Sequence, residues 1–76
     1  MRVYAIIWND FYSENYWDCE VAESWEEAYK FACWFLKNFM LEKGLPFNEE
    51  EAFDSLANDE YANDYIHIEI CAKTLL

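Results

Sequence analysis

The sequence predicts an α+β fold of the two-layer sandwich kind, in the order β-β-α-α-β, with a three-stranded sheet covered on one face by two helices. Three observations carry this. Two stretches near the N-terminus and one near the C-terminus have strand periodicity. Two segments between them have helical periodicity, each preceded by an N-capping residue. The only glycine and the only proline fall together at Gly44 and Pro46, where a helix has to stop. The 76 residues are expected to form a single domain, 1–76. A chain of this size removes only about 60% of its extended surface from water. Six Phe, six Tyr and four Trp therefore supply much of the core, each able to bury about 150–250 Å².

The first strand is Val3 to Trp8 (Val-Tyr-Ala-Ile-Ile-Trp), apolar on both alternating sets, as expected of a central strand. Turn-forming residues follow, Asn9-Asp10 and Ser13-Glu14-Asn15, with Phe11 and Tyr12 between them. From Tyr16 to Val21 the pattern alternates, with Trp17, Cys19 and Val21 read as inward and Tyr16, Asp18 and Glu20 as outward, so the two strands form a hairpin. Ser24-Trp25-Glu26-Glu27 is a capping box that opens a helix running to about Lys43. Its core face is Trp25, Ala28, Tyr29, Ala32, Leu36, Phe39 and Met40. Phe31, Trp34 and Leu41 make a second apolar stripe among polar residues. Asn48 caps a shorter helix that reaches about Asn58, with Phe47, Ala52, Phe53 and Leu56 facing the core. Asp59 to Asp64 reads as loop, with room for a helical turn. Tyr65 to Ala72 alternates again, Ile66, Ile68, Ile70 and Ala72 forming the buried side. Two helices return the chain to the end where strand one began, so the last strand is expected to run parallel to strand one in the order 2-1-3. Order 1-2-3 is the alternative.

Sixteen Asp and Glu against five Lys and Arg give a formal charge of −11, yet 55% of residues are hydrophobic and 21% aromatic. A disordered acidic tail lacks such material. The charge argues against direct contact with nucleic acid or an anionic membrane, both of which need cationic side chains. The densest apolar run, Phe31 to Leu36, is far short of the roughly 18 residues of a membrane span. Met1-Arg2 with a short apolar stretch and no small-residue cleavage site does not read as a signal peptide. Cys19, Cys33 and Cys71 form no CxxC pair, so they are read as free thiols of a cytoplasmic protein.

The acids fall into two zones, Asp10 to Glu27 around the hairpin and first helix start, and Glu49 to Asp64 around the second helix. On the sheet face away from the helices, Tyr16, Asp18 and Glu20 are expected beside Tyr65, His67 and Glu69, with Tyr4, Ile6 and Trp8 between them as an aromatic patch ringed by carboxylates. Acids steer a basic partner, and rings hold it once charges are desolvated. The candidate partner-binding residues are therefore Asp18, Glu20, Glu49, Glu50, Asp54, Asp59 and Glu60 for charge, with Trp8, Tyr16, Trp34 and Tyr65 as anchors. His67 with Glu69 lacks a second nitrogen or thiolate ligand at motif spacing, so no metal is assigned. One glycine, no phosphate-cradling loop and no nucleophile or zinc motif argue against an enzyme, and no cofactor is expected.

In charge density, size and lack of a catalytic motif the chain resembles the small acidic accessory proteins of phages and mobile elements, including anti-restriction and anti-CRISPR inhibitors. The likeness is one of composition over the whole chain. It implies a DNA-mimic-like inhibitor that occupies the basic groove of a nuclease or other nucleic-acid-binding protein. A homodimer or assembly subunit, joined through Phe31, Trp34 and Leu41 or through the open sheet, is the alternative.

Overall fold

A computed structural model describes residues 2–12 and 16–74, with Tyr16 through its backbone alone. The elements are β1 (Arg2–Asp10), β2 (Tyr16–Ala22), α1 (Trp25–Lys43), α2 (Glu49–Leu56), β3 (Glu60–Ala62) and β4 (Ile66–Thr74). They form an α+β architecture, one antiparallel sheet in the order β2-β1-β4-β3 with both helices packed on one face.

Strand periodicity decides that face. Ile6 and Trp8 of β1 stand opposite Ile70 and Ile68 of β4, and all four are buried against the helices together with Ile66. On α1, Ala28 and Ala32 let the helix approach the sheet closely, while Leu36, Phe39 and Met40 fill the space beyond; all five are buried. Ala52 and Leu56 close the layer from α2. Phe31 and Phe35 pack together against Trp8, their ring centroids 5.9 and 4.3 Å from its own.

The helix ends follow the sequence. Ser24 Oγ accepts the Glu27 N–H at 3.2 Å, and Asn48 Oδ1 accepts the Glu51 N–H at 3.0 Å. Each satisfies one of the amides orphaned at a helix start. Gly44 closes α1 at φ 65°, a conformation that penalises a Cβ, and Leu45 N–H donates back to Met40 O at 3.0 Å. α2 ends at Leu56, two residues earlier than its polarity suggests.

Three expectations need correction. The sheet has four strands, because Glu60–Ala62 pairs with β4 inside the segment read as loop. That short strand also reverses the last one: β4 runs antiparallel to β1, not parallel. The reason is an extra traverse. At about 1.5 Å per residue, α2 is only about 12 Å long against about 28 Å for α1, so it carries the chain part of the way back. β3 then returns it to the end of the sheet where β1 finishes.

The third correction concerns β2. Its register with β1 places Asp18 opposite Trp8 and Glu20 opposite Ile6, so these two acids are on the helix side, while Trp17, Cys19 and Val21 stand with Asn9, Ile7 and Ala5 on the bare side. A register change of one residue exchanges the faces of a strand, and here the pairing of Asp10 with Tyr16 sets the parity. Asp18 and Glu20 tolerate the helix side because β2 is an edge strand that overhangs the helix layer; among its described side chains only Ala22, at its end, packs against the core.

Candidate functional site

The bare face of the sheet has two unlike halves. Over β1 and β2 it is apolar: Val3, Ala5 and Ile7 lie in the centre, with Trp17, Cys19 and Val21 beside them. Trp17 is 59% exposed and Val21 56%. Ile7, Trp17, Asp18 and Cys19 line a shallow depression there. Two exposed apolar side chains on an edge strand are a liability unless something covers them.

The acids Asp18 and Glu20 modify that edge directly. The Asp18 carboxylate accepts the Cys19 N–H at 2.8 Å and the Glu20 carboxylate accepts the Val21 N–H at 3.3 Å. Carboxylates thus occupy two backbone donors of the outermost strand.

Over β3 and β4 the bare face is polar. Glu60 and Glu69 are directly opposed cross-strand partners, and His67 lies two residues from Glu69 on the same side. His67 Nε2 is 3.0 Å from Glu60 Oε2, and a donor atom of each of the three residues falls within 4.8 Å of the others. Asn9 separates the two halves. It pairs with Trp17 on one side and His67 on the other, is 4% exposed, and its Oδ1 receives no hydrogen bond.

The second acidic zone lies elsewhere. Glu49, Glu50 and Glu51 occupy the first turn of α2, where the helix dipole favours negative charge. Glu50, Glu51 and Asp54 line a shallow hollow with Asn48. Glu49 pairs with Lys37 at 3.3 Å, an exposed contact of little energetic weight. α2 packs over β3 and β4, whereas Asp18 and Glu20 sit on β2 at the far edge of the sheet. Four strands about 4.8 Å apart put the two edges about 14 Å from each other, more than a Debye length at 0.1 M salt. The two acidic zones read from the sequence thus lie apart in the fold as two separate patches.

The remaining candidates divide by burial. Trp8 is 8% exposed and faces the helices with Ile6, which corrects its placement on the open face; Tyr4 likewise packs toward the core. Tyr65 is half-buried and meets Tyr12 edge to face at 6.0 Å. Trp34 is 61% exposed, and its ring lies on the surface against Phe31, 5.9 Å between centroids. The Tyr16 side chain lies outside the described residues. Asp59 accepts the Trp25 Nε1–H at 2.7 Å and so has a structural task beside its charge. Trp17, which the sequence pattern placed inward, is the ring that stands on the bare face.

The three cysteines are free, Cys19 exposed and Cys33 and Cys71 half-buried. Burial pushes the Cys33 and Cys71 thiols above their ordinary range, with the Glu69 carboxylate adding to the effect at Cys71. The thiolate is the reactive form. Iodoacetamide at pH 8 is therefore expected to modify Cys19 first, read by intact mass and peptide mapping; equal rates at the three positions would contradict the burial pattern. For stability the sign is negative at high pH: a raised thiol contributes fully below 9.0, its unfolded value, and that contribution is lost as the pH climbs past it.

Among the described residues no helix is long and apolar enough to cross a membrane. Comparison with family models, with curated proteins and with solved structures finds no match to this chain.

Proposed function

We propose that this chain is a non-enzymatic binding protein that docks on a basic surface of a partner, of the kind nucleic-acid-binding proteins use, and so inhibits it. The observation that carries the reading is the composition of β2: two exposed apolar side chains, Trp17 and Val21, alternate with two carboxylates, Asp18 and Glu20, along one open strand of a chain with a charge of −11. Trp17, Val21 and Ile7 form the apolar anchor; Asp18 and Glu20 form its charged rim. Glu50 and Asp54, with Glu49, Asp59 and Glu60 nearby in sequence, add a second field on the α2 side that speeds encounter with a cationic target. A nuclease or other defence effector with a basic groove fits this chemistry, and three free thiols suit a reducing cytoplasm.

The test is an affinity capture on the immobilised chain at 0.1 M and 1 M NaCl, followed by competition of the purified partner's nucleic-acid binding. The Debye length falls from about 10 Å to about 3 Å over that range, so capture should weaken strongly. Trp17→Ala is expected to cost about 2 kcal/mol of binding, as central aromatic contacts do. Salt-independent capture, or full affinity in both Trp17→Ala and Asp18→Lys/Glu20→Lys, would exclude the reading.

A self-associating subunit is the second reading. It is favoured by Trp34 and Leu41, which are 61% and 66% exposed and, seven residues apart, share one face of α1. A dimer mass in solution that reverts to monomer in Trp34→Asp would select it.

A further inference from the structure

We propose that Glu60, His67 and Glu69 form a binding site for a divalent transition metal of the zinc class on the bare face of the sheet. Four observations converge on it. One imidazole and two carboxylates have donor atoms within 4.8 Å of one another. In the tetrahedral geometry zinc prefers, bonds of about 2.0–2.2 Å hold two ligand atoms about 3.3–3.6 Å apart, so rotation of the exposed Glu60 side chain has to draw the set in by about 1.5 Å at most.

Second, Glu60 and Glu69 are directly opposed across β3 and β4. Like charges in that position destabilise a sheet unless a cation lies between them. No lysine or arginine serves: among the described residues the ion pairs are Lys37 with Glu49 and His67 with Glu60, and Lys43 stands over the Phe39 and Tyr12 rings. Lys73, on the same face of β4, is four residues from Glu69, about 13 Å along the strand.

Third, Asn9 is the cross-strand partner of His67, is 4% exposed, and its Oδ1 lacks a donor. Buried polar atoms without partners are rare. A metal-bound histidine almost always gives its second ring N–H to an oxygen acceptor. Asn9 stands directly opposite His67 on the same face of the sheet, so its unpartnered Oδ1 is the acceptor proposed for Nδ1–H while Nε2 faces the Glu60 carboxylate.

Fourth, the ligands stand on braced strands. Ile70 N–H donates to Asp59 O at 2.8 Å, and the Ser55 hydroxyl donates to Glu60 O, fixing the start of β3 against α2 and β4. The donor set selects the metal class: nitrogen with carboxylate oxygen suits zinc and its transition-metal neighbours, whereas calcium and magnesium prefer oxygen alone. Three protein ligands on an open face leave coordination positions to water or to a donor from a partner.

Zinc chloride titrated calorimetrically into the reduced, chelator-stripped chain is the test. One ion per chain is expected, with affinity reduced at least about tenfold by His67→Ala and by Glu60→Gln, and by a similar factor by Asn9→Ala. Cys71→Ser, two residues beyond Glu69, should leave the affinity unchanged, and millimolar magnesium should not compete. Thermal melting of each metal-free variant verifies that it folds, and the ¹⁵N shift of the His67 ring reports coordination independently. The proposal is overturned if no ion binds, if His67→Ala and Glu60→Gln bind as the parent does, or if only loss of a thiol abolishes binding.

Discussion

Trp8→Ala should remove about 3–5 kcal/mol of folding stability, the usual loss for deleting a buried tryptophan side chain. A domain of 76 residues has about 4–11 kcal/mol to lose, so the variant sits near the unfolding threshold at 37 °C. The magnitude follows from position. Trp8 is 8% exposed, its ring packs against both Phe31 and Phe35, and it pairs across the sheet with Ile68, which is fully buried. At about 4–8 °C per kcal/mol for a small domain, the melting temperature should fall by well over 10 °C, measurable by circular dichroism. Trp17→Ala is the contrast. Its side chain is 59% exposed, and surface replacements usually stay within about 0.5 kcal/mol. A Trp8→Ala variant that melts with the parent, or a Trp17→Ala variant that collapses, would invert the assignment of core and docking rings.

Asp59→Val should cost about 2.5–3.5 kcal/mol, while Asp59→Asn stays within about 0.5 kcal/mol of the parent. Asp59 has φ 73°, and its carboxylate accepts the Trp25 indole N–H at 2.7 Å. Left-handed backbone costs an ordinary residue about 1–2 kcal/mol, and a β-branched one fares worst. Loss of a hydrogen bond to a charged group adds about 1.5 kcal/mol. Asparagine tolerates the same backbone and keeps the acceptor. Asp59→Gly separates the two contributions, since it relieves the backbone and forfeits only the hydrogen bond. Urea unfolding of the three variants gives the comparison, and a valine variant as stable as the asparagine one would show that neither contribution operates at this turn.

Much of the fold is legible in the residues. Ser24 and Asn48 at their caps, Gly44 at its left-handed stop and the even-numbered isoleucines from Ile66 to Ile70 all sit where local physics places them. What was hidden depends on pairing. Glu60–Ala62 has no strand signature of its own, being three residues among Asp59, Asn63 and Asp64, and exists by bonding to β4. Missing it also inverts the direction of the last strand. The faces of β2 were hidden for a related reason: apolar side chains on an alternating strand normally point at a core, but this strand is at the edge, where neither face is roofed. The candidate site inherited both errors. Trp8 moved inward, Trp17 outward, and Glu60 came to face His67, a meeting across seven residues of sequence that only the β3–β4 turn creates. Trp34 and the α2 carboxylates stand where helical periodicity put them, yet α2 lies over the opposite edge of the sheet from Asp18 and Glu20.

The carboxylates folded back on the Cys19 and Val21 amides have a further consequence. A seven-residue margin of unbonded backbone would ordinarily invite another copy to extend the sheet, molecule after molecule, into a filament. Here an approaching copy meets two negative groups already seated on the donors it needs, and brings the same two of its own. The outermost strand can therefore stay uncovered and still resist polymerising.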